Sequence, residues 1–439
     1  MNRFRRIRIS FVQTLIVCST TVLSLSFHLQ AAAEPVSDQL ANFLDLTDQA
    51  YKDVSEMTGL PYTEPVKVEM ITRNEVVDFI RRTTAIEYPD DELVQRGRCL
   101  AEFGFLPQDY DLTEGMIGLV GEQAGAIYDQ HSKTLLGISD LPHYLYSTTM
   151  QRMLISHEVC HALEDRQVDI TARYKAALTD MDGEYAFRSA IEGMATVVML
   201  AYCHNLDIDN APDARATMRN GFSQNKRNKS MPALAATPLY LSESLISPYA
   251  EGGAFAQEWL RANEGAKLGA MLSKMPTTSE QVLHFDKYVK GDAPTSIDLS
   301  PAASVLPEGW TSYYTNTLGE FDLRTLFASQ EKTKSRADKA AEGWDGFRFA
   351  AYSDSLGRLL TVGCSVWDSE SDANEFSDAF EKVLEETRDS NDFSVLQAGS
   401  VVSFAIGPTD RETATRLAEV LAEAVKTQAD AIEGHSRAD

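Results

Sequence analysis

The hydrophobic and polar positions of this chain alternate between two periods. From Pro35 to about Glu56, Leu40, Phe43, Leu44, Leu46 and Tyr51 share one helical face. Val66-Lys67-Val68-Glu69-Met70 alternates like a strand. Thr72-Arg73-Asn74-Glu75 then has the form of a capping box, with Ile71 and Val76 placed as a hydrophobic staple, which predicts a helix start. Helices are predicted over Asp91 to Phe103 and from the Asp111 cap to about Glu122. Gly125 to Asp129 and Thr134 to Ile138 flank a polar tip, Gln130-His131-Ser132-Lys133, and read as a hairpin with His131 exposed at its end. The free edge of such a hairpin can hold an extended peptide by main-chain hydrogen bonds, or can be an ordinary sheet edge.

Helical patterns continue over 148–167, on to Leu178, and over 184–202. Residues 205–236 are polar and predicted irregular, with a solvated basic loop at 225–229. Helical character resumes over 238–261 with a break at Pro248-Tyr249. After about Trp310 the pattern changes: strands over 347–352 and 359–367, a helix over 372–387, a strand pair over 393–406 and a helix over 412–426. The expected fold class is α+β. A mainly helical domain with a small sheet or hairpin covers 34–304, and a smaller α+β domain covers 305–439.

The helix over 148–167 carries candidate chemistry. His157 and His161, four residues apart, lie on one face and can point both imidazoles at one metal ion. Glu158 then sits where it can take a proton from water at an open metal position. Downstream, Ala190 to Ala201 is apolar but for Glu192. A carboxylate buried there needs a cation or several donors, which makes Glu192 the candidate third ligand. The alternative is an intrahelical ion pair with Arg188, in the weaker order with the cation N-terminal. Glu164 and Gln167 stand where metzincin spacing needs Gly and His. Asp165, one turn beyond His161, is expected to orient a histidine. His204 reads as a surface or capping residue, and Cys160 as a small core residue.

The N-terminus changes the compartment. Arg3, Arg5, Arg6 and Arg8 precede a mostly apolar or small stretch from Phe11 to Phe27 and then Ala31-Ala32-Ala33, the form of a secretory signal over 1–33. The protein is therefore expected to be periplasmic or secreted, with an uncleaved anchor as the alternative. Removing 1–33 takes four arginines and no acid, leaving the formal net charge of −25 four units more negative. Such a surface disfavours nucleic acid and anionic membranes, so neither nucleic-acid binding nor stable membrane insertion is expected. Export permits disulfides among Cys99, Cys160, Cys203 and Cys364, but their spacing matches no CxxC site and does not reveal pairing.

His157 to Gln167, Glu192-Gly193-Met194-Ala195, Pro248-Tyr249 to Gly252 and Thr278 to His284 together resemble the motifs of bacterial exported zinc metallopeptidases of gluzincin type. The hairpin at 125–129 and Trp367-Asp368-Ser369-Glu370 fit the same pattern. Cys160, Glu164, Met194 and Ser279 depart from it without removing a proposed ligand. The resemblance implies a zincin-like catalytic domain with one zinc ion per chain, held by His157, His161 and Glu192, and a peptide or protein substrate. Glu158 is then the expected proton acceptor, with Tyr249 and His284, and Tyr240 behind them, as candidates to stabilise an oxyanion. Two other readings remain: a catalytically silent, zinc-stabilised binding or scaffold protein, and a zinc amidase acting on a cell-wall amide.

Overall fold

The computed structural model describes residues 13–16, 36–89, 91–141, 147–227, 231–388 and 392–436. The expected signal over 1–33 lies outside the described residues except for Gln13–Ile16. The fold is α+β, with two separate sheets among many helices.

The first sheet has the order β1-β3-β4-β2, formed by β1 (Gln13–Ile16), β2 (Lys67–Ile71), β3 (Ala124–Asp129) and β4 (Thr134–Ile138). β3 and β4 are the predicted hairpin, with Ala126 opposite Gly137 and Asp129 opposite Thr134. β2 runs parallel to β4, and β1 runs antiparallel along the outer edge of β3. Period-two alternation sorts the side chains to two faces. Ile127, Leu136 and Ile138 pack on Val76, Phe79 and Ile80 of α2 (Arg73–Glu87). Ala126, Tyr128 and Leu135 face the main core, which includes Phe43 and Tyr51 of α1 (Val36–Thr58). The capping box that starts α2 is formed as predicted: the Thr72 hydroxyl accepts from Glu75 N, and Thr72 N donates to Glu75 Oε2 at 2.7 Å.

His131 departs from its expected exposure. It is half-buried, with Nε2 3.6 Å from Glu87 Oε1, because the hairpin tip folds against the end of α2.

After α3 (Glu92–Phe103) and α4 (Leu112–Gln123), the centre of the molecule is helical. The motif helix is α5 (Thr148–Val168), followed by α6 (Ile170–Ala177) and the apolar α7 (Met181–Cys203). By length and composition α7 alone among the described residues suits a membrane, yet it lies in the interior as a core helix. Two expectations fail here. Residues 205–236 are not irregular, since they contain α8 (Ala214–Lys226) and α9 (Pro232–Ala236). Ala214, Met218 and Phe222 form a narrow apolar stripe at four-residue spacing, which the surrounding polar residues obscure. Nor does Pro248 break its helix: α10 (Leu239–Ala262) runs through it. The proline removes one backbone bond, and packing against α7 holds the helix across the gap.

Short helices α11 (Ser279–Leu283) and α12 (Phe285–Lys290) lead to the C-terminal part. This comprises β5 (Thr311–Asn316), α13 (Glu320–Ser329), α14 (Ala337–Ala341), β6 (Trp344–Ser353), β7 (Leu359–Trp367), α15 (Glu370–Thr387), β8 (Phe393–Ala398), β9 (Val401–Ile406) and α16 (Arg411–Ser436). Its strands form an antiparallel sheet ordered β5-β6-β7-β9-β8. One face packs on Leu417, Leu421 and Val425 of α16. The other packs on Phe376 and Phe380 of α15 and also on Phe103 at the end of α3. Phe103 is fully buried, with ring centroids 5.1 Å from Phe349, 5.8 Å from Phe404 and 6.2 Å from Phe347. One continuous core therefore crosses the expected boundary at 304/305. Cys99, Cys160, Cys203 and Cys364 are all free thiols.

Truncating Phe103 to alanine removes an aromatic that both parts share. The expected loss is about 3–5 kcal/mol, with unfolding of both parts shifting together. This is checked by hydrogen exchange under increasing denaturant, read separately for peptides from residues before and after 304. Loss confined to one part would contradict a shared core.

Candidate metal centre

Three side chains from two helices meet in the interior. α5 supplies His157 and His161 from one face. α7 crosses it and supplies Glu192, which sits eleven residues into the helix among apolar neighbours. His157 Nε2 is 2.9 Å from His161 Nε2, and Glu192 Oε2 is 3.2 Å from His157 Nε2 and 3.5 Å from His161 Nε2. All three are buried, and they are the group of possible metal ligands found among the described residues. Glu192 thus turns to the histidines rather than being spent on Arg188, one turn earlier.

The donor set suits zinc. Ligands about 2.0–2.1 Å from a tetrahedral centre stand about 3.3 Å apart, close to the three separations here. The same groups can also satisfy one another, with the carboxylate accepting from a protonated imidazole.

Electrostatics follow from burial. Desolvation, aided by the neighbouring His161, lowers the His157 pKa to about 4. Burial alone would lower His161 too, but Glu164 and Glu192 carry it well above the ordinary imidazole value. Burial works to raise Glu192, but hydrogen bonds from the two histidines hold it well below the carboxylate range.

Glu158 points across to the sheet. Its Oε2 accepts from the Tyr128 backbone N at 2.7 Å, while Oε1 is buried with no hydrogen-bond partner among the described residues. Burial pushes its pKa up to about 8, against the pull of His161 and the Tyr128 N–H.

The residue behind His161 is Glu164, not Asp165. Glu164 Oε2 stands 2.7 Å from His161 Nδ1, leaving Nε2 free to face the cluster. Burial raises Glu164 to about 7, offset in part by His161. Asp165 turns the other way, accepting from the Tyr128 hydroxyl at 3.0 Å, from Ile170 N at 3.2 Å and from Lys133. It ties the end of α5 to the hairpin. Nothing in the local pattern singles out Glu164, which opens the polar run Glu164-Asp165-Arg166-Gln167 just after the apolar stretch; only its position three residues beyond His161, on the same helical face, could have pointed to it. Cys160, expected in the core, is buried with its Sγ 3.7 Å from Glu164 Oε1, so the two departures within the motif helix touch each other.

Tyr249 is at the centre. It is fully buried, its ring stacks on His157 with centroids 5.6 Å apart, and its phenol is raised well above its ordinary pKa by burial and then by Glu192, to which it hydrogen-bonds. Two glycines allow this. A Cβ on Gly193 would collide with the Gly252 backbone, and one on Gly252 with the Ser189 carbonyl, so α7 and α10 touch main chain to main chain. The Glu-Gly and Pro-Tyr-x-x-Gly segments are two sides of this contact.

His284 is not brought into the cluster. Its Nε2 is 2.8 Å from Glu320 Oε1, and the charges that act on it are Glu320, Glu280 and Glu342. The chain leaves α11 just before it and turns it toward α13. Tyr240 likewise donates to Asp322 Oδ1 at 2.9 Å. His204 is exposed, and its backbone N–H closes the end of α7.

Residues 310–430 match the domain of unknown function DUF8575. That segment is the C-terminal sheet and its helices, and lies outside the His-His-Glu cluster. No curated protein and no solved structure matches the chain.

Glu164→Gln keeps the hydrogen-bonding shape but loses the charge behind His161. Zinc affinity is expected to fall about 10- to 100-fold, as read by competition with a chromogenic chelator; unchanged affinity would show that Glu164 does not support the ligand. Gly252→Ala forces α10 away from α7. Its expected effects are a loss of about 1–3 kcal/mol in stability together with weaker zinc binding, measured by thermal unfolding with and without metal.

Proposed function

We propose that this protein is a zinc-dependent hydrolase with a zincin-like catalytic part, and that its reaction is peptide-bond cleavage. The observation that carries this reading is the convergence of His157, His161 and Glu192 beside a buried carboxylate, Glu158, with one oxygen unengaged. A purely structural site has no need of that fourth group. Zinc held there supplies a Lewis acid that acidifies water and polarises a carbonyl.

The chain's own residues do the rest. Glu158 Oε1 accepts the proton of the attacking water and passes it to the leaving amine, while Oε2 stays fixed on the Tyr128 N–H. Tyr249 orients Glu192 and closes one wall around His157.

The sheet edge supports a peptide substrate. The outer edge of β3 takes an extended segment antiparallel, with Gln13 opposite Tyr128 and Thr14 opposite Ile127. Because Tyr128 is also the residue bonded to Glu158, a strand on this edge runs beside the proton acceptor.

Glu158→Gln should keep zinc at wild-type stoichiometry and lose about 10²- to 10⁴-fold in turnover, assayed on unfolded proteins and on cell-wall amides side by side. Equal rates for the two zinc-loaded proteins on every substrate would sink the hydrolase reading and favour the scaffold. Cleavage of the cell-wall amides alone would favour the amidase.

A further inference from the structure

A cavity of about 120 Å³ lies where α7, α10, α4 and α13 meet. Along α7 it is lined by Met181, Glu184, Tyr185 and Arg188, a stripe with helical spacing whose next position is Glu192. Along α10 it is lined by Leu241, Ser244, Leu245 and Pro248, next to Tyr249. Both stripes run from the cavity toward the metal cluster, so the cavity sits about one helical turn from it. Met116, Val120, Arg188 and Ser244 are half-buried and mark its open side, while Leu100, Leu119 and Leu245 are buried.

The chemistry of the lining selects the ligand. Two cations and two carboxylates, Arg96, Arg188, Glu184 and Asp322, line the wall and balance in formal charge. They are also engaged. Arg96 bonds Glu184 at 3.0 Å and Glu92 at 3.3 Å, Tyr88 donates to Glu184 at 3.1 Å, and Asp322 accepts from Tyr240 and from Gly319 N. Arg188 is likewise not without a partner. A charged ligand would find no unmatched partner there and would lose its hydration. An apolar one meets leucine, methionine and phenylalanine walls. A wholly apolar cavity of about 150 Å³ holds benzene; this one is slightly smaller, with its charged groups paired along one part of the wall and leucine, methionine and phenylalanine along the rest, a size that suits a single large apolar side chain.

We infer that this cavity receives a leucine, methionine or phenylalanine side chain of the peptide cut at the metal cluster, which makes the enzyme select bonds next to such residues. The inference rests on the hydrolase reading and gives it a substrate class. It also gives the C-terminal part a role, because Phe321 and Asp322 of α13 complete the pocket wall.

The test uses the full zinc-loaded chain and two pocket-filling variants, Met116→Trp and Val120→Trp, whose half-buried positions tolerate bulk better than the buried walls. Binding of N-acetyl-leucinamide against N-acetyl-glycinamide is followed by NMR titration, and cleavage sites are mapped in a mixed peptide library. The wild type should prefer the leucine probe by about 10- to 100-fold, the factor for burying one such side chain. Either tryptophan should abolish that preference and move cleavage toward glycine and alanine, with zinc content unchanged. Equal probe affinities in the wild type, or an unaltered preference in both folded variants, would overturn the pocket. Leucine selectivity without cleavage of any peptide would leave the pocket standing and remove the peptidase. Cleavage without apolar selectivity would do the reverse.

Discussion

The contact on which the candidate centre depends is backbone against backbone, where α7 meets α10 at Gly193 and Gly252. Helices packed through side chains stand about 8–10 Å apart. Removing the side chains from both crossing points lets the axes come closer, and Tyr249 reaches Glu192 and the face of His157 as a result. The sequence neighbours of the two glycines, Glu192 and Tyr249, are thus placed by what the glycines lack. Pro248 weakens α10 just where it must pass this crossing, and its missing N–H is tolerated because the neighbouring helix already fixes the backbone.

Around that contact the interior holds more ionisable groups than an apolar core ordinarily carries. Glu158, Glu164 and Glu192 are buried with two imidazoles, and each carboxylate faces a different way: to the strand edge, behind His161, and into the cluster. Isolated, each would be costly to bury. Arranged around two basic rings they compensate one another, which is the arrangement a divalent cation also favours.

Much of this was legible in the chain. The apolar run around His157 and the lone carboxylate at Glu192 marked the cluster, because burial leaves a charged residue few tolerable environments. Glu164 and Asp165 stand side by side at the polar end of that run, three and four residues beyond His161, and spacing alone does not say which of the two turns to the imidazole. Of the two residues expected near an oxyanion, the structure brings Tyr249 against His157 and leaves His284 on Glu320. Both stood in motifs, but only Tyr249 had a neighbouring glycine contact to bring its helix close. The α8 stripe was hidden by polar residues, and the continuity of α10 by a proline whose effect packing overrides. Phe103 looked like the end of an ordinary helix. Its role in the C-terminal core is a long-range contact that no local pattern encodes.

The first turn of α7 is fastened from downstream. Met181 N donates to Asn316 Oδ1 at 2.8 Å, Thr317 Oγ1 donates to Asp180 Oδ1 at 2.6 Å, and the Arg348 guanidinium donates to the Thr179 carbonyl at 2.9 Å. Ser279 N donates to Asp182 Oδ1 at 2.8 Å. All three donors of the cluster are therefore synthesised well before the residues that anchor the helix carrying the third. A nascent chain that has reached residue 200 contains His157, His161 and Glu192 but not the scaffold that aligns them. The start of the helix that carries the third donor is thus held by residues made at least 87 positions after Glu192, so the cluster and its anchors belong to different stages of the chain's synthesis.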